Sequence, residues 1–389
     1  MRPPKAACVP RVLVLLGLVA LFATGCGSSR HASTRSNAVS TTAVRSHSAT
    51  GFPPPPPGDV YAYDRAGDLS ATVRGDRALV YVPNSMSDSV TVISQRTMKV
   101  VGQFPTGALP QHVTPAYNLR TLYVDNDLGN SLTPINPRTG TPGHPIPVKD
   151  PYNLYFTPDG RYAIVVAERL QRLDFRNPDT MHLIHTLAVP ACRGVDHMDF
   201  SADGRYAFAS CEFSGRMIKV DLKTRRVVRA LVIGDGTTSP QDVKLSPDGR
   251  LLYTADQQTG GVWEVDPVTF RVIGFLRTGA GAHGLYPSRD ASDLYVSNRT
   301  AGTISVVSFT NRKVIATWRI PPPASPDMGG VSADGRTLWL SGRYNDEVYA
   351  ISTTTGRLRA RIPVGSGPHG LCVWPQPGRY SLGHTGVMR

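Results

Sequence analysis

From residue 79 onward, short apolar runs of alternating polarity recur about every 41 to 45 residues, a period that marks stacked units or propeller blades. The clearest run ends in a small or polar residue. It reads LVYVPN to Asn84, LYVDN to Asn126, AIVVA to Ala167, AFASC to Cys211, LYTAD to Asp256, LYVSN to Asn298 and LWLSG to Gly342. A second alternating run follows each of these, such as SVTVIS, RMIKVD, GVWEVD and EVYAIS, and then a third, such as KVVGQFPTG or RVIGFLRTG. A fourth begins near a proline and runs into a tight turn: YNLYFTPDGR, HMDFSADGR, QDVKLSPDGR, GGVSADGR. Period-two alternation with β-branched residues predicts strands, and Asp-Gly supplies the turn because glycine takes positive φ cheaply. Four short antiparallel strands per unit, repeated seven times, predict an all-β, seven-bladed β-propeller.

Ring closure is also written in the chain. The first run, LVYVPN, has no good partner before it, and PHGLCVWPQPG near the C-terminus matches the missing innermost strand. The segment 371–374 is therefore predicted to pair beside 78–84 and close the ring. LSATV at 69–73 competes for the same position.

With these residues in view, LYVSN, TISVV and SPDGR resemble the YVTN-type propeller repeat of surface-layer and YncE-like periplasmic proteins. The resemblance spans residues 60–389. It implies the fold, and it places the chain near lactonase-type propellers and the haem d1 domain of nitrite reductase. It does not imply one activity, because this architecture hosts binding proteins, scaffolds and enzymes.

The N-terminus reads differently. Arg2, Lys5 and Arg11 precede an apolar stretch from Val12 to Phe22, too short to span a membrane. Ala23-Thr24-Gly25-Cys26 then resembles a bacterial lipobox, so residues 1–25 are expected to be a lipoprotein signal peptide with Cys26 the lipidated residue. Acyl chains there would hold the protein at the outer face of the cytoplasmic membrane. Residues 26–58, rich in Ser and Thr and ending in Pro53 to Pro57, read as a flexible tether, and residues 59–389 as the propeller.

Net charge is +13, and it falls by three when Arg2, Lys5 and Arg11 leave with the signal. The basic residues are scattered and no dense basic run with interleaved aromatics occurs, so charge alone does not select nucleic acid. An unknown small molecule, a cell-wall polymer or an envelope protein are the partners this leaves open, beside the membrane.

The innermost strand of each blade starts at one mouth of the central channel, so residues just before it converge on the axis. Aligning the repeats on the Asp-Gly turn places two positions per blade there. The first set is Gln111, Tyr152, Asp196, Gln241, His283, Asp327 and His369; the second is His112, Asn153, His197, Asp242, Gly284, Met328 and Gly370. Of these, His112, Asn153, Asp196, His197, Gln241, Asp242, His283, Asp327 and His369 form the candidate ligand site. Imidazoles and carboxylates suit a divalent transition metal, and equally suit hydrogen bonds to a polar ligand. A solvated polar rim is the competing reading.

Cys192 precedes one innermost strand and Cys211 ends the next, so both should reach one face. In an exported protein a disulfide is expected, with a metal site of Cys192, His197 and Cys211 as the rival. Cys372 lies in an apolar strand and reads as a buried thiol, and the four tryptophans fall in strands as packing residues. No Gly-rich phosphate loop, Gly-x-Ser-x-Gly elbow or Cys-x-x-Cys-His occurs, which removes support for nucleotide binding, serine hydrolysis and covalent haem. The expected function is a surface-anchored binding or interaction protein. The alternatives are a metal-dependent, lactonase-like hydrolase at the same mouth and, more weakly, a binder of nucleic acid or anionic polymer.

Overall fold

The computed structural model describes residues 52–389. The expected signal peptide, its lipobox and Cys26 lie outside the described residues. Among the described residues no helix is long and apolar enough to cross a membrane.

Seven antiparallel sheets follow one another along the chain. The fourth shows the common pattern. Val195–Phe200 is innermost, followed outward by Tyr206–Cys211, Arg216–Asp221 and Arg226–Val232. The first three strands are buried nearly throughout and the outermost is largely exposed, because the inner strands are flanked by neighbouring blades on both faces. Apolar side chains fill the wedges between blades. Phe208 and Met217 of the fourth blade meet Leu245, Leu252 and Val265 of the fifth.

Two polar devices fix the strands to one another. Where a blade's second strand ends in Asn, its Nδ2 donates to two hydroxyls on the next strand: Asn84 to Ser89 and Thr91, Asn126 to Ser131 and Thr133, Asn298 to Thr303 and Ser305. In the Asp-Gly turns, the Asp carboxylate accepts a bond from a hydroxyl two residues earlier and from the amide two residues later. Asp248 accepts from Ser246 at 2.6 Å and from Arg250 N–H at 3.0 Å, and Gly249 sits at φ +72°. The sixth blade departs from this pattern, because Ala291 holds the glycine position at φ +55°.

The ring closes as expected. Cys372–Trp374 pairs antiparallel with Leu79–Tyr81, completing the first blade with its innermost strand. The competing segment 69–73 does not take that place. Leu69 instead bridges Gly378 in parallel, and Val73 is buried among the first two blades. In the second blade the outermost strand is broken into Thr141–Pro142 and Ile146–Pro147, since prolines lack the N–H a ladder needs. The ring of Phe52, the first described residue, stacks on Tyr380 with centres 5.6 Å apart.

Cys192 and Cys211 form a disulfide across a sequence separation of 19, which contributes on the order of 3 kcal/mol by restricting the unfolded chain. The bonded sulfurs rule out the rival metal site of Cys192, His197 and Cys211. Cys372 is a buried free thiol.

Candidate functional site at the channel axis

The two positions per blade at the mouth are adjacent in sequence, and a regular strand would send them to opposite faces. A local irregularity resolves this. Register shifts fall between Pro110 and Val113, Val195 and Met198, Pro240 and Val243, Ala282 and Leu285, and Pro326 and Gly329. Each shift frees two consecutive residues from the ladder, so both can turn toward the axis. A serine on the second strand satisfies the freed backbone: Ser210, Ser297 and Ser341 accept bonds from the amides of His197, Gly284 and Met328.

All nine candidate residues are buried, from 0% exposed for His112, Asn153, Asp196, His197, Asp242 and Asp327 to 3% for His283 and His369. The imidazoles form a continuous cluster. The ring of His112 lies 5.4 Å from that of His197 and 4.9 Å from that of His369, centre to centre. Asn153 Nδ2 lies 2.9 Å from His197 Nδ1. On the far side of the axis, His283 Nδ1 and His369 Nε2 lie 3.2 and 3.6 Å from the carboxylate of Asp327, which also pairs with Arg299 at 2.5 Å. Gln241 does not join the cluster, because its amide turns back to Ser239. Both oxygens of Asp242 accept backbone amides, those of Val243 and of Leu285 on the next blade, so this residue ties two blades together.

One member of the site has no counterpart in the repeat. After the closing strand, Ser381–Gly383 pairs with the inner edge of the third blade, Gly383 lying opposite Tyr155, and Val387–Met388 pairs back onto it. This segment brings His384, 0% exposed, onto the axis. Its Nδ1 lies 3.3 Å from Asn153 Nδ2 and its Nε2 lies 3.3 Å from Asp242 Oδ1. Farther on, Arg389 pairs with Asp199 at 2.8 Å and covers the ring of Tyr61.

Burial controls the electrostatics. It pushes the imidazoles of His197, His283, His369 and His384 well below their usual range and that of His112 down to about 3, so all five are neutral at pH 7 and each keeps one bare lone pair. Burial, then the carboxylates of Glu212 and Glu168, raises Asp196 well above the carboxylate range. At the mouth, Glu168 is pushed up to about 8 by burial and by Glu212. Carboxyl groups thus gather on the third and fourth blades, while Arg299 and Arg343 belong to the sixth and seventh.

Many of these polar atoms have no partner. Among the described residues, His112 Nε2, His197 Nε2, His384 Nε2, His369 Nδ1, Asp327 Oδ2 and both oxygens of Asp196 are buried and unbonded. A buried polar group left unsatisfied costs about 1–3 kcal/mol, so groups concentrated in this way call for partners, ordered water included.

The sequence profile of the YncE-like β-propellers matches residues 66–377. The chain belongs to that family. This YncE-like propeller is 25% identical over 324 residues to a protein named 6-phosphogluconolactonase from Serratia proteamaculans, covering 76% of this chain and 85% of that one. It is 27% identical over 130 residues to the uncharacterized protein YncE of Salmonella typhi, covering 33% and 36% of the two chains. Among solved structures it resembles Kuenenia stuttgartiensis hydrazine synthase with a TM-score of 0.62 at 18% identity, over 73% of this chain and 97% of the other, a likeness of fold alone.

Proposed function

We propose that this YncE-like propeller is an extracytoplasmic binding protein, held to the membrane through Cys26, whose ligand sits in the polar chamber at the channel axis. The observation that carries this reading is the group of buried, unpartnered imidazole and carboxylate atoms contributed by several blades. No blade supplies a complete catalytic group by itself, whereas together they offer hydrogen-bond donors and acceptors to a small polar molecule. Arg299 and Arg343 on one side would face an anionic group of the ligand, and the carboxyl groups of Glu168 and Glu212 on the other would hydrogen-bond its polar end. Thermal unfolding of the domain in the presence of small polar and zwitterionic compounds tests this. A binder should raise the melting temperature of the parent and lose that effect in His283→Ala and Arg299→Ala. A melting temperature unmoved across saturating compounds of every charge type defeats it.

A second reading, a lactone hydrolase at the same chamber, draws on the name of the Serratia proteamaculans relative. Neutral imidazoles such as His112 and His369 can serve as general bases. Measuring turnover of sugar-derived and simple lactones decides it, and loss of turnover in His369→Ala is the required companion result.

A further inference from the structure

We propose that His112, His197 and His384 bind one divalent transition cation of the zinc or copper class. This deepens the reading of the axis as a binding site and rests on it.

Geometry comes first. Each of the three residues offers a ring nitrogen, these nitrogens lie within 4.8 Å of one another, and all three side chains are buried. Three imidazoles around one tetrahedral ion at about 2.1 Å place their ring centres about 5 Å apart. The observed separations are 4.4, 5.4 and 5.5 Å. The rings already stand where an ion needs them.

The hydrogen bonds set the free nitrogen differently in the three rings. In each ring Nδ1 is engaged and Nε2 is without a partner. His112 Nδ1 lies 2.9 Å from the carbonyl of Tyr152, which places the proton on Nδ1 and a bare lone pair on Nε2. Such a partner on the second nitrogen is the usual support of a metal-bound histidine. Asn153 serves His197 and His384 together. The Asn153 N–H group donates to Nδ1 of both rings while its oxygen accepts the Leu154 N–H, so ligation through Nε2 requires both rings to move their proton to Nδ1 and the Asn153 amide to turn over, giving up the Leu154 bond.

Charge and ligand type narrow the ion. Three neutral imidazoles with no cage of oxygens suit zinc or copper and do not suit calcium or magnesium. The carboxyl group of Asp196, with both oxygens unbonded, lies 3.3 Å from His197 Nε2 and offers an oxygen beside the site. The second cluster on the axis, His283, Asp327 and His369, is a poorer host, because the guanidinium of Arg299 already neutralises Asp327.

The test uses the whole mature chain, carrying no histidine tag and stripped with a chelator. Titration with Zn2+ and Cu2+ against a chromogenic competitor should show one tight site per chain. Either His112→Gln or His384→Gln should weaken it at least about 100-fold, at or above the roughly 10- to 100-fold that loss of an outer partner costs. Replacing the exposed His144 should leave it unchanged. Circular dichroism establishes that each variant is folded. A folded parent that takes up neither ion stoichiometrically overturns the proposal, as do His112 and His384 variants that bind like the parent. An experimental structure separates the two readings. An organic molecule in the chamber without a metal removes the cation and keeps the binding site, and a chamber filled by water alone, with no ligand found, removes both.

Discussion

The imidazole of His384 stands 4.4 Å from that of His197, centre to centre, and the two share the amide of Asn153. One ring comes from the repeat and the other from a segment outside it. The axis of this propeller is therefore completed by residues that no blade contributes.

That segment is held by a close approach. Gly383 lies at φ +103°, and a Cβ there would sit 2.3 Å from the carbonyl oxygen of Leu154. Gly383→Ala should push residues 381–388 off the third blade. Amide exchange in that stretch should quicken by a factor of ten or more while the blade strands stay protected. Unchanged protection there would show that the segment is anchored elsewhere.

Ser210 holds the irregular turn that presents Asp196 and His197. Its hydroxyl accepts the amide of His197 at 3.1 Å and donates to the carbonyl of the same residue at 3.2 Å. Ser210→Ala should cost about 1–2 kcal/mol in chemical denaturation, because a buried amide loses its partner. A cost near zero would mean that backbone or water replaces the hydroxyl.

Ala291 occupies a turn position with φ +55°, where the third, fourth, fifth and seventh blades carry Gly160, Gly204, Gly249 and Gly335. A non-glycine residue in this region costs roughly 1–2 kcal/mol, part of which is recovered from the less flexible unfolded chain. Ala291→Gly should accordingly raise stability by up to about 1 kcal/mol, read as a higher denaturation midpoint. A fall instead would show that the methyl group's contacts outweigh the strain.

Asp64 and Arg289 pair at 2.5 Å below the channel, and burial pushes the Asp64 carboxyl up to about 6 despite the guanidinium. Its proton is held more tightly in the folded chain than in the unfolded one. This group's contribution to stability is therefore full below about pH 4 and is lost as pH rises through about 6, a change on the order of 2 kcal/mol. Asp64→Asn should flatten that part of the stability–pH curve, whatever it does to the absolute value by leaving Arg289 unpaired. An unaltered slope between pH 4 and 6 would assign the titration to other groups.

Much of this was legible in the residues. LVYVPN without a partner and PHGLCVWPQPG without a blade announce the closure at Leu79–Tyr81 and Cys372–Trp374. Cys192, just before one innermost strand, and Cys211, at the end of the next strand, announce their bond. Alignment on the Asp-Gly turn also brought His112, His197, His283 and His369 to one region, because each blade repeats the same geometry. The register shifts beside Asp196 and His197 were not legible, since period two alone sends adjacent residues to opposite faces. His384 was missed for a different reason. It follows the last repeat, so no alignment gave it a position. The one available signal was a histidine flanked by Gly383 and Gly386 in a segment with too few apolar residues to be another strand of the ring.

The closure of the first blade imposes an order on assembly. Strand Leu79–Asn84 is made long before its inner neighbour, Cys372–Trp374. Until then the nascent ring carries an open edge, a surface on which other strands can add, and the long loop between the two strands makes pairing slow. His384 lies beyond that closing strand, so the axis receives it from a segment made after the last strand of the ring. A formed chamber thus requires residues from both sides of the ring's closure, so the site reports that the two distant strands of the first blade have met.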